Sequence, residues 1–230
     1  MNHPTTRASL AFVAAATLIA GFAGVHRGDG GAAIQTARAE VDITRPQRHF
    51  KVRRPAILSD AEALIIYDQI LDELVRGYGL SGLGPASAYA NWRRYNKTPY
   101  RSATHGNRYV SNYANAVAAT YGEYERSGTM PQGSILAKDS FAATTRGEVT
   151  IGPLFLMEKM QPGFNPMTGD WRYTMIMPDG SIFGITNGEG SMRVKFCADC
   201  HKVAGAAQDY RYFVPRNYRR KFLDIKTDGE

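Results

Sequence analysis

The sequence contains very little cysteine: its 230 residues include only two, and both lie in Cys197-Ala198-Asp199-Cys200-His201. Without a third cysteine, the chain lacks the set of matched Cys and His ligands that a zinc site needs. A thioredoxin-like Cys-x-x-Cys is expected in an early βαβ unit, whereas this one lies near the C-terminus. A disulfide between the two cysteines is the third ordinary alternative.

The same five residues match the attachment signature of c-type haem, in which two cysteines two residues apart are followed directly by histidine. On one turn of helix both thiols reach the vinyl groups of the porphyrin, and the imidazole comes under the iron as proximal ligand. Chance produces this pattern in roughly one such chain in a thousand at average residue usage. We therefore predict haem bound covalently to Cys197 and Cys200, with His201 as the metal ligand.

No methionine or histidine follows His201. Small electron-transfer cytochromes usually take their sixth ligand, a methionine sulfur, from beyond the motif, so their ordinary arrangement is excluded. We expect an open distal position at which a small molecule binds the iron. The alternative is an upstream ligand, drawn from Met157, Met160, Met175, Met177, Met192 and His105.

The long apolar run of the sequence lies near the N-terminus. Residues 8–25 are almost uninterrupted in their hydrophobicity and follow Arg7, which predicts an export signal. Ala37-Arg38-Ala39 is a small-residue cleavage site, so that the mature chain starts at Glu40. A run of this length is also at the lower edge of what spans a bilayer, and an uncleaved anchor is the alternative. Both predict a periplasmic domain.

A large excess of one charge is absent. The formal net charge is +7, and residues 1–39 contribute +2 of it, so the mature chain carries about +5. The two haem propionates lower this value further, and we do not interpret the charge as a sign of nucleic-acid binding. A modest positive field favours docking of an acidic electron-transfer partner.

The first elements predicted after the leader are helical. Residues 40–57 form a polar, proline-containing linker, and the capping box Ser59-Asp60-Ala61-Glu62 predicts a helix to about Arg76, ended by Gly77 and Gly79. Its apolar stripe predicts core packing, with a dimer interface as the alternative. The stripe consists of Leu64, Ile65, Tyr67, Ile70, Leu71, Leu74 and Val75. Shorter helices are predicted within residues 86–95 and 114–126.

The second half of the chain predicts strands. A strand begins at Arg108, and further strands are predicted over residues 134–141, 149–160, 171–177 and 210–215. The turns between them are short enough for antiparallel neighbours. Residues 193–202 form the haem-bearing helix. The predicted fold class is α+β: a mainly antiparallel β-sheet with flanking helices and a C-terminal haem-attachment helix, without internal repeats.

Four stretches carry a resemblance to a known family: Ser134-Ile135-Leu136-Ala137-Lys138-Asp139, Leu156-Met157-Glu158, Gly169-Asp170-Trp171-Arg172-Tyr173 and the C-terminal Cys-x-x-Cys-His. In this order they resemble the cytochrome P460 family over residues 85–220. The resemblance implies a homodimeric β domain with five-coordinate c-type haem, and relatives called cytochromes c′-β share the fold. The predicted organisation is a signal (1–39), a linker and helix (40–84) and a haem domain (85–225).

The resemblance also implies site residues. Lys138 matches the lysine that cytochrome P460 bonds to its porphyrin ring; the alternative is a surface lysine, because strand alternation does not say which face is buried. Glu158 matches the pocket carboxylate that relays protons from the substrate. Arg108 matches an arginine that orients the pocket or holds a propionate. Phe141 lies close to Lys138 in sequence, and a distal aromatic marks the nitric-oxide-binding relatives.

Taken together, these features predict a periplasmic haem protein that oxidises hydroxylamine and passes the electrons to a partner cytochrome. Lys138, Glu158 and Arg108 are its candidate catalytic residues, and Cys197, Cys200, His201 and Lys138 bind the cofactor. The alternative is a non-catalytic nitric-oxide-binding or electron-transfer cytochrome of the c′-β type.

Overall fold

The structure is a computed structural model that describes residues 55–221. Its eight strands form one antiparallel sheet in the order β1-β3-β4-β6-β7-β8, with β2 paired to β3 and β5 to β4. The strands are β1 (Arg93–Arg94), β2 (Tyr100–Ser102), β3 (Arg108–Ala114), β4 (Ile135–Ala143), β5 (Val149–Ile151), β6 (Leu154–Lys159), β7 (Trp171–Ile176) and β8 (Ile182–Ile185). The helices are α1 (Asp60–Gly79), α2 (Gly84–Ala88) and α3 (Ser191–Lys202). The predicted α+β class is confirmed.

The predicted export signal and its cleavage site lie outside the described residues, as does most of the predicted linker. Within residues 55–221, no helix combines the length and the apolar character needed to cross a membrane.

Helix α1 starts at the predicted capping box. The Oγ of Ser59 accepts a hydrogen bond from the backbone N–H of Glu62 at 3.3 Å, and the Glu62 carboxylate accepts one from the Ser59 N–H at 2.8 Å. The helix continues past its predicted end to Gly79. Gly77 does not terminate it: a Cβ there would overlap the carbonyl oxygen of Pro178, so this glycine allows α1 to approach the turn before β8.

The sheet is covered on both faces. On one face, which we call the α1 face, Tyr67, Leu74 and Tyr78 of α1 pack against the sheet. Ile65, predicted in the same stripe, is 59% exposed because it points away from the sheet. On the opposite face, the α3 face, a second core surrounds Ala198 of α3, and its strand residues include Val110, Ala114, Leu136, Trp171 and Tyr173.

Four predicted elements differ from the structure. The strand predicted over residues 149–160 is two strands, β5 and β6, which both pair with β4. Pro153 lacks an N–H for the ladder, and a Cβ at Gly152 would overlap the hydroxyl of Ser140, so the chain breaks there. Residues 114–126 form a 3-10 helix (Ala116–Arg126) that is interrupted at Tyr124, where φ is 54°. Residues 86–95 contain the end of α2, a 3-10 turn and strand β1 in place of one short helix.

The strand predicted over residues 210–215 is absent, whereas β8, which was not predicted, is present. Asp209 and Tyr210 have φ values of 46° and 58°, which are incompatible with extended chain at the start of that segment. Strand β8 is a short, half-buried edge strand of four residues, so it offers little alternation to recognise.

A buried carboxyl group ties α1 to the centre of the sheet. Asp139 of β4 is fully buried on the α1 face and accepts hydrogen bonds from the hydroxyls of Tyr67 at 2.6 Å and Tyr89 at 3.2 Å. The Tyr67 hydroxyl is also hydrogen-bonded to that of Tyr113. Burial raises the pKa of Asp139 to about 7. The hydrogen bonds from the tyrosine hydroxyls lower this pKa but do not cancel the effect of burial.

This raised pKa predicts a stability that falls as pH rises. The pKa of an aspartate in the unfolded chain is about 4, whereas the pKa of Asp139 in the folded protein is about 7. Between these values the unfolded state binds fewer protons, so the free energy of unfolding decreases with pH through this window. Asp139→Asn, which cannot ionise, should reduce that slope in urea unfolding at pH 4.5 to 7.5.

The control is Asp68→Asn, because Asp68 is exposed on the outer side of α1. It should leave the slope unchanged. Equal slopes for wild type and Asp139→Asn would contradict the prediction.

Candidate functional site

A cleft of about 710 Å³, including its open mouth, lies on the α3 face between the sheet and α3. Its polar wall groups include Thr104, His105, Asn112, Lys138, Tyr173 and His201, and both cysteines also line it.

Helix α3 holds the Cys-x-x-Cys-His motif against this cleft. Val194 and Ala198 are buried and fix one side of the helix on the sheet. Gly184 of β8 permits the close approach, because a Cβ there would overlap the carbonyl oxygen of Gly190 and crowd Val194. The cysteines and the histidine therefore face the same cavity from a single helix.

The two cysteines are free thiols, so the disulfide alternative is not formed. Burial raises the pKa of Cys197 to about 12, which keeps this thiol protonated. Among the described residues, no group of three or more His, Cys, Asp or Glu side chains is placed to hold a metal ion. The structure therefore gives the zinc alternative no further ligands.

His201 has the tautomer that a metal ligand requires. Its Nδ1 lies 2.8 Å from the carbonyl oxygen of Tyr210. A carbonyl only accepts hydrogen bonds, so Nδ1 carries the proton and Nε2 carries the lone pair that binds iron. Tyr173 and Tyr212 flank the ring, with centroid distances of 5.2 and 5.4 Å. Two thiols and one oriented imidazole on the same cleft are the donor set that a covalently attached haem needs.

Lys138 lies in the same cleft, on the face of β4 that points toward α3. In the sheet it is opposite Asn112 of β3 and Phe155 of β6, and both of these residues also line the cleft. Burial lowers the pKa of its amine to about 8. Lys138 is half-buried and lines the cleft, so the structure does not place it on the outer surface of the domain.

The structure does not bring Glu158 into the cleft. Its register partners are Ile135 and Arg172, so it lies on the α1 face, whereas its neighbour Met157 points into the cleft. Its two carboxylate oxygens accept hydrogen bonds from Arg172 at 2.8 and 2.7 Å. The structure therefore places the predicted pocket carboxylate outside the cleft, because the alternation of β6 turns Glu158 to the opposite face of the sheet.

Arg108 and Phe141 also lie away from the cleft. Arg108 is buried near the start of β3, where its side chain packs beside Gly152, and burial lowers its pKa. Phe141 is on the α1 face and stacks on Tyr109 with centroids 5.4 Å apart. Neither lines the cleft, so the structure does not bring the predicted Arg108 to the pocket, and Phe141 is not part of the cleft wall.

Of the six upstream ligand candidates, His105 and Met157 line the cleft. The Nδ1 of His105 is hydrogen-bonded to the Ser102 hydroxyl at 2.9 Å, and its ring packs edge-on against Phe155 at 5.0 Å. Met192, by contrast, is 78% exposed.

Three further residues line the cleft without a sequence motif that points to them: Asn112, Phe155 and Tyr173. Only the register between strands brings them to Lys138.

A scan against protein-family models matches residues 86–213 to the model described as Cytochrome P460. This span includes every residue that lines the cleft, from Thr104 to Tyr212, and excludes α1. A search of the curated proteins found no match to the chain.

The position of Glu158 predicts a structural effect rather than a change in the cleft. Glu158→Gln removes the anionic partner of a half-buried Arg172, so the free energy of unfolding should fall by about 1–3 kcal/mol. The absorption spectrum of the haem-loaded protein should stay unchanged.

Glu125→Gln is the matched control, because both carboxylate oxygens of Glu125 accept hydrogen bonds from Arg219, but Glu125 is half exposed. It should cost about 0–1 kcal/mol. A changed spectrum in Glu158→Gln would contradict this placement.

Proposed function

Because the chain belongs to the cytochrome P460 family and is therefore a c-type haem protein, we propose that it oxidises hydroxylamine at an open iron face and passes the electrons to a partner cytochrome. The observation that carries the proposal is the shared cleft of Lys138, Cys197, Cys200 and His201. We further propose that it works in the periplasm and as a homodimer, which rests on the N-terminal sequence and on the family resemblance.

The cleft residues divide the binding of the cofactor among them. The thiols of Cys197 and Cys200 would tether it, and the Nε2 of His201 would bind its iron. When bound, the haem iron supplies the site that holds a small nitrogen ligand and accepts its electrons. The side chains from β3, β4 and β6 then shape the opposite wall.

Lys138 supports the enzymatic form of the proposal. Its amine is buried beside the tethering thiols, and its lowered pKa gives it an appreciable neutral fraction near neutral pH. A neutral amine has the lone pair that a bond to a ring carbon of the cofactor requires. Forming this bond breaks one N–H and one ring C–H bond and releases two protons and two electrons, which a two-electron oxidant such as a peroxide would accept. We therefore assign Lys138 as the residue that bonds covalently to the porphyrin ring.

The oxidation also needs a proton acceptor, since each electron that hydroxylamine loses is matched by one proton. Glu158 faces away from the cleft, whereas the imidazole of His105 lines it and is held by Ser102. Imidazole is an effective general base near neutral pH. We assign this role to His105 in place of Glu158.

The second candidate function is nitric-oxide binding of the c′-β type. A specific observation favours it: no carboxylate side chain lines the cleft in the described part of the chain, while Phe155 and Met157 form an apolar wall. The test of Lys138 separates the two candidates.

Proteolysis of the haem-loaded protein should release haem joined to two peptides, one with Cys197 to His201 and one with Lys138. Lys138→Ala should keep haem on the cysteines, lose the shifted absorption band that the third bond causes, and lose hydroxylamine oxidation. Mass spectrometry and absorption spectra measure these outcomes. Lys97→Ala, at an exposed position, is the control and should behave like wild type. A wild-type digest with haem on the cysteine peptide alone overturns the enzymatic proposal and favours nitric-oxide binding.

His105→Gln should slow hydroxylamine oxidation by about 10²–10⁴-fold, the usual contribution of a general base. The variant should retain the Lys138 peptide and the shifted band, since His105 is not a point of attachment. Glu158→Gln serves as the comparison and should turn over like wild type. A rate for His105→Gln within about twofold of wild type would remove His105 from this role.

A further inference from the structure

The carbonyl that contacts His201 belongs to an unusual turn. Asp209 and Tyr210 both have left-handed backbone conformations, with φ of 46° and 58°. Residues other than glycine rarely adopt such φ values, and two in succession persist only where the surrounding structure holds them. This turn presents the Tyr210 carbonyl oxygen to the Nδ1–H of His201 at 2.8 Å.

Asp209 is held from two directions through its side chain. Its carboxylate accepts a hydrogen bond from the Nζ of Lys159 at 2.5 Å and from the backbone N–H of Met130 at 3.0 Å. The charged side chains of this pair are only 10% (Lys159) and 5% (Asp209) exposed. A buried, charge-assisted contact of this kind strongly restricts where the carboxylate can lie.

The backbone of the same residue is held by β7. The indole Nε1–H of Trp171 donates to the carbonyl oxygen of Asp209 at 2.8 Å, and Trp171 is fully buried. The Nζ of Lys159 also lies 5.1 Å from the centre of the Trp171 ring, so the side chains from β6 and β7 support each other.

Gly169 makes room for the turn. It has φ of +62°, and a Cβ there would lie 2.8 Å from the ring of Tyr210 and 3.1 Å from the Asp209 carboxylate. Any other residue at this position would be strained in the left-handed conformation and would displace the ring of Tyr210. The stretch Gly169-Asp170-Trp171 thus contributes both the space and the hydrogen-bond donor.

We propose that Lys159, Gly169, Trp171 and Asp209 form a clamp, the Asp209 clamp, that positions the Tyr210 carbonyl on His201 and thereby sets the strength of His201 as an iron ligand. This inference rests on the proposed haem site. A hydrogen bond from Nδ1–H to a fixed acceptor raises the electron density of the imidazole, which favours ferric over ferrous iron. The clamp residues touch neither iron nor substrate and are positioning residues.

Trp171→Phe tests the clamp, because it removes the Nε1–H donor and keeps an aromatic ring. The ferric/ferrous equilibrium should shift about tenfold toward ferrous, an increase of about 59 mV in the reduction potential for one electron. The iron–histidine stretching frequency of the ferrous protein, measured by resonance Raman spectroscopy, should fall. Both readouts report on His201 and not on general stability.

Tyr78→Phe is the matched control. Tyr78 is also fully buried and donates one hydrogen bond, to the carbonyl of Gly152 at 2.7 Å, but on the α1 face. It should lower the melting temperature without changing either readout. An unchanged potential and frequency in Trp171→Phe overturn the inference, as does an equal shift in Tyr78→Phe.

Asp209→Asn and Asp209→Ala supply a second test. Asparagine tolerates the left-handed conformation and keeps an oxygen for the Met130 N–H, whereas alanine does neither. The shift in potential should therefore be larger in Asp209→Ala and partly rescued in Asp209→Asn, and equal potentials in both variants and wild type contradict the clamp. Covalent haem content is measured first in wild type: absence of haem refutes the proposed function, whereas normal haem with unshifted potentials in the variants refutes only the clamp.

Discussion

Strand β4 is buried on both of its faces, and the arrangement of the molecule depends on that constraint. Successive side chains of a strand point to opposite faces, so Lys138 enters the α3 face while Asp139 enters the α1 face. The core on each face desolvates one ionisable group, Lys138 on the α3 face and Asp139 on the α1 face. The same desolvation lowers the pKa of Lys138 to about 8 and raises that of Asp139 to about 7, because burial penalises the charged form of either group.

The two faces of the sheet differ in structure: one holds a hydrogen-bonded network and the other a cleft. On the α1 face, Asp139 is enclosed by tyrosine hydroxyls, one of which comes from α1, and this network joins the N-terminal helix to the sheet. Helix α1 lies before the span that matches the family, residues 86–213. On the α3 face, the corresponding position is an open cleft with a buried amine. Helix α1 therefore closes the face of the sheet opposite the cleft.

The cleft combines a local motif with distant supports. Helix α3 brings Cys197, Cys200 and His201 to one side of the cavity by their spacing alone. The orientation of the His201 ring depends instead on the Tyr210 carbonyl, and the turn that presents it contacts β6, β7 and the segment before β4. The segment that follows the motif thus returns to contact His201 through the Tyr210 carbonyl oxygen.

The sequence by itself determined the features that depend on neighbouring residues. The Cys-x-x-Cys-His spacing, the capping box at Ser59, the strand at residues 134–141 and the helix around residues 193–202 all follow from local geometry, and the structure contains each element. Only the tertiary structure decided which side chains meet. The pairing of Lys138 with Phe155 places Met157 in the cleft and Glu158 outside it, and a one-residue change in that register would reverse the assignment. Likewise, His105, Trp171 and Asp209 acquire their positions from contacts far apart in the chain, which no local pattern encodes.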